Sequence, residues 1–172
     1  MQLILTPMIL VALIIGIGAL QVLYKDMLKE RSASMLSLAK TNAELINAVA
    51  AYDYRHAPAE HKERAFGVTL SQVTAAFNAL SALEGTEELL IVHQEGNIIE
   101  ILVHQETKIK ERDHSASIPL ESDYAKPMIE GLNGKSGLMW VHDDHGNELL
   151  VAYAPVPKMS VAVLVEITRD EL

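Results

Sequence analysis

No charged side chain occurs in this chain before Lys25, and the run from Leu3 to Leu20 is almost wholly apolar. A helix through it reaches roughly 30 Å at about 1.5 Å per residue, the hydrocarbon thickness of a bilayer. Residues 1–24 are therefore expected to form an uncleaved transmembrane anchor. A removable signal peptide has a basic start and a shorter apolar stretch. Nothing basic precedes this run, although Gly16-Ile17-Gly18-Ala19 is small enough to be cut. Counted by Lys and Arg alone, Lys25 to Arg31 places the following segment in the cytoplasm, but its three bases are interleaved with Asp26 and Glu30.

Residues 25–172 are polar enough for one soluble domain with a real core. The chain has no cysteine, which excludes disulfides, thiolate zinc sites, iron–sulfur clusters and covalent c-type haem. A net charge of −9 argues against a nucleic-acid partner and against a polybasic membrane surface. No phosphate-binding glycine loop, nucleophile elbow or His-Glu-x-x-His motif is present, so neither catalysis nor a cofactor is expected. His142-Asp143-Asp144-His145 has the donors of a metal cluster, yet a hairpin tip lacks the supporting shell that a metal needs. It reads as a turn.

Residues 25–57 predict a long helix continuing outward from the anchor, uninterrupted by Gly or Pro until Pro58. With Leu28 at heptad position a, the a and d positions are largely apolar. Leu28, Met35, Leu38, Asn42, Leu45, Val49 and Tyr52 form a seam suited to pairing in a homodimer. Packing on its own domain is the alternative for the same stripe.

Residues 58–172 are expected to form a single domain. Phe66, Leu70, Val73, Phe77, Leu80 and Leu83 recur at helical spacing, with Gly85 closing the helix. From Glu88 the period becomes that of strands. Leu89–His93 and Ile98–Val103 flank Glu95-Gly96-Asn97 as a hairpin, and His104–Leu120 reads as a long loop. Ser122-Asp123 opens a short helix ended by Asn133-Gly134. Strands are then expected over 137–142, 148–154 and 160–167. The fold class is α+β: a five-stranded antiparallel sheet with packed helices.

Two segments carry a family resemblance: Ala125-Lys126-Pro127-Met128-Ile129-Glu130-Gly131-Leu132-Asn133-Gly134-Lys135-Ser136-Gly137, and Asp144-His145-Gly146-Asn147 through Tyr153-Ala154-Pro155-Val156. With the closing strand Val161–Glu166, they resemble the extracytoplasmic Cache sensor domain. That is the PAS-like module of bacterial chemoreceptors, sensor kinases and diguanylate cyclases. The resemblance implies a signal-transduction sensor that binds a small molecule between its sheet and a covering loop and helix. It also implies a displacement passed to membrane helices and a cytoplasmic output, on this chain or on a partner. It places the domain in the periplasm or exterior, carried by a single pass through the inner membrane, against the charge count above.

Candidate ligand residues follow. Trp140 and His142 alternate onto one side of their strand, and Tyr153 lies near the end of the neighbouring one. In one register the three make an aromatic wall for an amino acid, carboxylate or amine; a one-residue slip puts Trp140 and Tyr153 on opposite faces. His93 ends the first strand, Arg112 sits in the long loop with a fork suited to carboxylates, and Tyr124 opens the short helix. The competing reading is a pilin-like surface-assembly subunit, which also joins an apolar helix to an antiparallel sheet. It expects a basic leader and an early glutamate, and no acid precedes Asp26.

Overall fold

The computed structural model describes residues 2–56, 62–80, 87–105 and 117–172, with side chains followed from residue 13 in the first segment and over 65–76 in the second. Helix α1 runs unbroken over Gln2–His56 and α2 over Lys62–Leu80. They are followed by β1 (Glu88–Glu95), β2 (Ile98–Gln105) and β3 (Ser117–Pro119). Helix α3 spans Ala125–Leu132. Strands β4 (Gly137–His142), β5 (Glu148–Val156) and β6 (Val161–Thr168) complete an α+β fold.

The strands form one antiparallel sheet in the order β3-β2-β1-β6-β5-β4. The N-terminal hairpin and the C-terminal meander thus meet through β1 and β6 at the centre. The sheet has six strands rather than the five expected. The extra strand, β3, lies in the stretch read as a loop and pairs Ile99 with Ile118. Ile118 is buried, which gives the strand its hold, and Pro119 lacks the N–H that a longer edge strand needs.

Both faces of the sheet are covered. On one, Met35, Ala39, Ala43, Ile46 and Ala50 recur at steps of three and four along α1 and are buried against Ile91, Val163 and Val165. The three alanines let the helix lie close to the sheet, while Met35 and Ile46 each contribute about 1.5–3 kcal/mol of burial. Helix α2 adds Val73 and the partly buried Phe66 and Leu70 to this core. Thr69, fully buried, donates to Asp53 at 2.6 Å and ties α2 to α1. Phe77, Leu80, Leu83 and Gly85 lie outside the described side chains. On the opposite face, α3 packs Met128 and Ala125 over Leu90, Val151, Tyr153 and Leu164.

The expected membrane placement is corrected. Among the described residues, no helix is long and apolar enough to cross a membrane. The inner-membrane, single-pass localisation expected from residues 1–24 falls with that finding.

Candidate functional site

Strand β6 is apolar on both faces as far as Val165, with Glu166 its one charged residue. Glu166 alternates with Ala162 and Leu164 and so faces α3. Glu88 alternates with Leu90 and Val92 on β1 and faces the same way. The ladder register sets Glu88 directly against Glu166, and both are out of contact with solvent.

Among the described residues, Tyr124 and His104 reach this pair. Tyr124, buried at the start of α3, donates its hydroxyl to Glu166 Oε2 at 2.8 Å. The turn that aims it is fixed locally: Ser122 N–H donates to the Pro119 carbonyl and Ser122 Oγ accepts from Ala125 N–H, both at 3.1 Å. His104 Nε2 lies 3.4 Å from Glu88 Oε2. A β-bulge puts it there. Ile91 pairs with Val103 but Val92 with Ile101, so Leu102 is the extra residue and alternation in β2 reverses past it. Val103 consequently faces α1, and His104 faces α3.

Like charges directly opposite each other destabilise a sheet, and buried carboxylates require compensation. Such a pair is suited to sharing a proton or to receiving a cationic group, with the tyrosine hydroxyl orienting one carboxylate.

Beside the pair, Tyr153 packs under α3. A Cβ on Gly137, its cross-strand partner, would lie 2.6 Å from the Tyr153 hydroxyl, and one on Gly131 would lie 2.8 Å from the Ala162 Cβ. These two glycines let α3 and β4 close onto the ring. The helix ends in a Schellman motif, with Lys135 N–H donating to the Glu130 carbonyl and Gly134 N–H to that of Gly131. Gly134 takes the left-handed conformation this needs, at φ 85°.

The residues singled out in the sequence do not all converge. Trp140 and His142 alternate with Leu138 toward the α1 side, whereas Tyr153 faces α3. The register is the one that separates them, and the three-residue aromatic wall is not assembled. Trp140 is 40% exposed at the sheet edge. His142 is exposed, with its backbone N–H donating to Asp123 at 2.9 Å. His93 shares the α1-side alternation, its Nδ1 3.2 Å from the Ser160 carbonyl oxygen. Arg112 lies outside the described residues. Among the described residues of the set, Tyr124 touches the carboxylate pair.

The His142–His145 segment is organised around its turn. Asp143 accepts from His145 N–H, Asn147 N–H and Asn147 Nδ2 at 2.8–2.9 Å. Burial works to raise its carboxyl pKa, and these hydrogen bonds outweigh that and hold it below the ordinary value. Asp123 is depressed further, to about 2, by the Lys126 ammonium at 2.6 Å and then by the His142 N–H.

In the proposed dimer seam, Met35 turns into the domain core and Leu28 and Asn42 are half-buried. Asn42 Nδ2 donates to the Leu38 carbonyl at 2.9 Å, so it caps its own helix turn. Leu38, Leu45, Val49 and Tyr52 remain exposed.

Glu88, Glu166 and His104 were not among the residues singled out. The available signal was Glu166, one carboxylate inside the run Val161–Ile167. Comparison with protein-family models and with curated proteins gives no match to this chain.

Proposed function

We propose that this domain is a small-molecule sensor of the kind the Cache resemblance implies. Its ligand carries an ammonium or similar cationic group, received on the α3 face by Glu88 and Glu166 and oriented by Tyr124. The observation that carries this reading is the opposed, fully buried carboxylate pair with the Tyr124 hydroxyl on one member. Apolar residues of the same size fill such a space without the desolvation cost, so packing gives no reason for the pair. An amine is its chemical complement among the amino-acid, carboxylate and amine classes.

The same two strands offer a route for the signal. Residues alternating with the glutamates, Leu89 and Val165, face the α1 side. A ligand that favours one packing of the β1–β6 ladder therefore biases how α1 sits, by the difference in its affinity for the two states. Output passes to a kinase, cyclase or receptor partner.

A thermal-shift screen of the full chain against primary amines, amino acids and simple carboxylates tests the reading. An amine at a hundred times its Kd adds about 2.7 kcal/mol of stability. The expected result is a raised Tm with an amine and none with a carboxylate; no response to any amine rejects it.

A pilin-like assembly subunit is favoured by one observation, the exposed apolar side chains of α1 from Leu13 to Met27. It predicts filaments in electron micrographs, where a sensor gives discrete particles.

A further inference from the structure

The α1 side of the sheet holds a cavity of about 340 Å³, away from the carboxylate pair. Strand β5 makes room for it. Gly137 at the start of β4 pairs with Tyr153, and β5 runs on to Val156 past the end of that strand. Pro155 suits the open flank, since it has no N–H for a further strand to bond. Ala43 of α1 and Ala154 of β5, both buried, form the floor, and their short side chains leave the space above unfilled.

The polar groups come from three parts of the chain. Lys40, Glu44 and Asn47 follow one another a turn apart along α1 and line one wall, and Ser136 joins them from the link between α3 and β4. The rim at Pro157 is held in place. Lys158 N–H donates to Asn47 Oδ1 at 3.1 Å, and Met159 is buried in the core. Ser160 then takes the left-handed conformation, at φ 54°, with its carbonyl oxygen 3.2 Å from His93 Nδ1. Because a backbone N–H bonds the Asn47 oxygen, the amide nitrogen Nδ2 is left as a donor at the cavity. Lys40 and Glu44 are exposed, and among the described residues neither side chain has an ion pair or a hydrogen bond. Lysine ahead of glutamate is the weaker order for a helical ion pair at this spacing.

We infer that this cavity binds a small zwitterion, a molecule with a carboxylate and an ammonium group a few bonds apart, as in a free amino acid. Lys40 receives the carboxylate, with Asn47 Nδ2 as a second donor, and Glu44 receives the ammonium group. The two charged side chains leave α1 about 5–6 Å apart, a separation that the two ends of such a ligand match. A simple anion meets the Glu44 carboxylate and a simple cation meets the Lys40 ammonium, so the site discriminates against both. Small-molecule sites start at roughly 300 Å³, which limits the ligand to about one amino acid in size. A ligand held there ties α1 to the β5–β6 turn, on the side of the sheet opposite Glu88 and Glu166. The site goes beyond the amine reading and stands without it.

Amide NMR titration of the full chain with glycine and serine, beside acetate and methylammonium, tests the proposal. Saturable shifts are expected at Lys40, Glu44, Asn47 and Ser136 with either amino acid, and about tenfold weaker binding there with acetate or methylammonium. Lys40→Gln and Glu44→Gln are each expected to weaken glycine binding about tenfold, the loss of one charged contact. Ser136→Phe is expected to block the cavity from an exposed position and leave the core intact. Glu166→Gln is expected to bind glycine at the four residues unchanged, which separates this site from the α3 face. No shift at these residues overturns the proposal. So does unchanged affinity in Lys40→Gln and Glu44→Gln, or acetate that binds as tightly as glycine. Shifts confined to Glu88, Tyr124 and Glu166 also overturn it, because they report the α3 face alone.

Discussion

Glu88 and Glu166 stand opposite each other across the β1–β6 ladder, both buried, on the side of the sheet that α3 covers. Carboxylates buried on facing positions repel each other, which a proton or a cation between them relieves. Replacing Glu166 with Gln keeps a carbonyl acceptor for Tyr124 and removes one charge. Glu166→Gln is expected to fold with a Tm close to the unmodified protein and to lose the amine-dependent rise in Tm. Glu166→Ala is expected to lose about 2–4 kcal/mol, because it opens a cavity and deprives the tyrosine hydroxyl of its acceptor. Scanning fluorimetry with and without amine reads both effects.

Tyr124 is a positioning residue for that pair. Its hydroxyl bonds a carboxylate at 2.8 Å in a buried setting, so Tyr124→Phe is expected to cost about 1–3 kcal/mol in urea denaturation. Combined with Glu166→Ala, the two losses are expected to fall short of additivity by about 1 kcal/mol, since both remove the same contact.

Gly131 sets the distance between α3 and the sheet. A methyl group there meets the Ala162 Cβ at 2.8 Å, so the helix has to lift. Gly131→Ala is expected to destabilise by about 1–3 kcal/mol despite alanine's better helix propensity. Gly16→Ala meets no neighbour within 4 Å and serves as the control.

Asp123 links α3 to the end of β4 through Lys126 and the His142 N–H. Its folded carboxyl pKa is lowered from the model-compound value of 3.8 to about 2. A depressed acid pKa gives stability that is complete above the unfolded value and lost as pH falls through the folded one. The urea midpoint of the unmodified protein is therefore expected to exceed that of Asp123→Asn above about pH 4, and the gap to close between about pH 4 and 2. The site is exposed, so the gap is small. A gap that persists undiminished at pH 2 contradicts this account of the link.

Much of the fold was legible because period and punctuation agree along the chain. The β-branched runs around Gly96, the Asn133-Gly134 stop and the three closing strands fall where alternation and turn residues set them. Strand β3 was not legible, since three residues ending in proline hold their place through Ile118 packing rather than through any local pattern. The site was harder still. Trp140 and Tyr153 separate because register decides faces, and register depends on pairing between distant strands. His104 joins Glu88 only because a bulge at Leu102 reverses alternation in β2. Glu88 meets Glu166 only because the first and last strands are neighbours. The α1 stripe was visible as a heptad, but which positions face inward was fixed by the sheet, which claims Met35 and leaves Leu38 and Leu45 outside.

The most direct measurement is calorimetric titration of the full chain with a primary amine that raises its Tm. It is run beside the uncharged hydroxyl analogue of that amine and repeated on Glu166→Gln. The account predicts saturable binding of one amine per domain, no heat from the analogue, and loss of binding in the variant. Equal binding of amine and analogue, or unchanged affinity in Glu166→Gln, contradicts it.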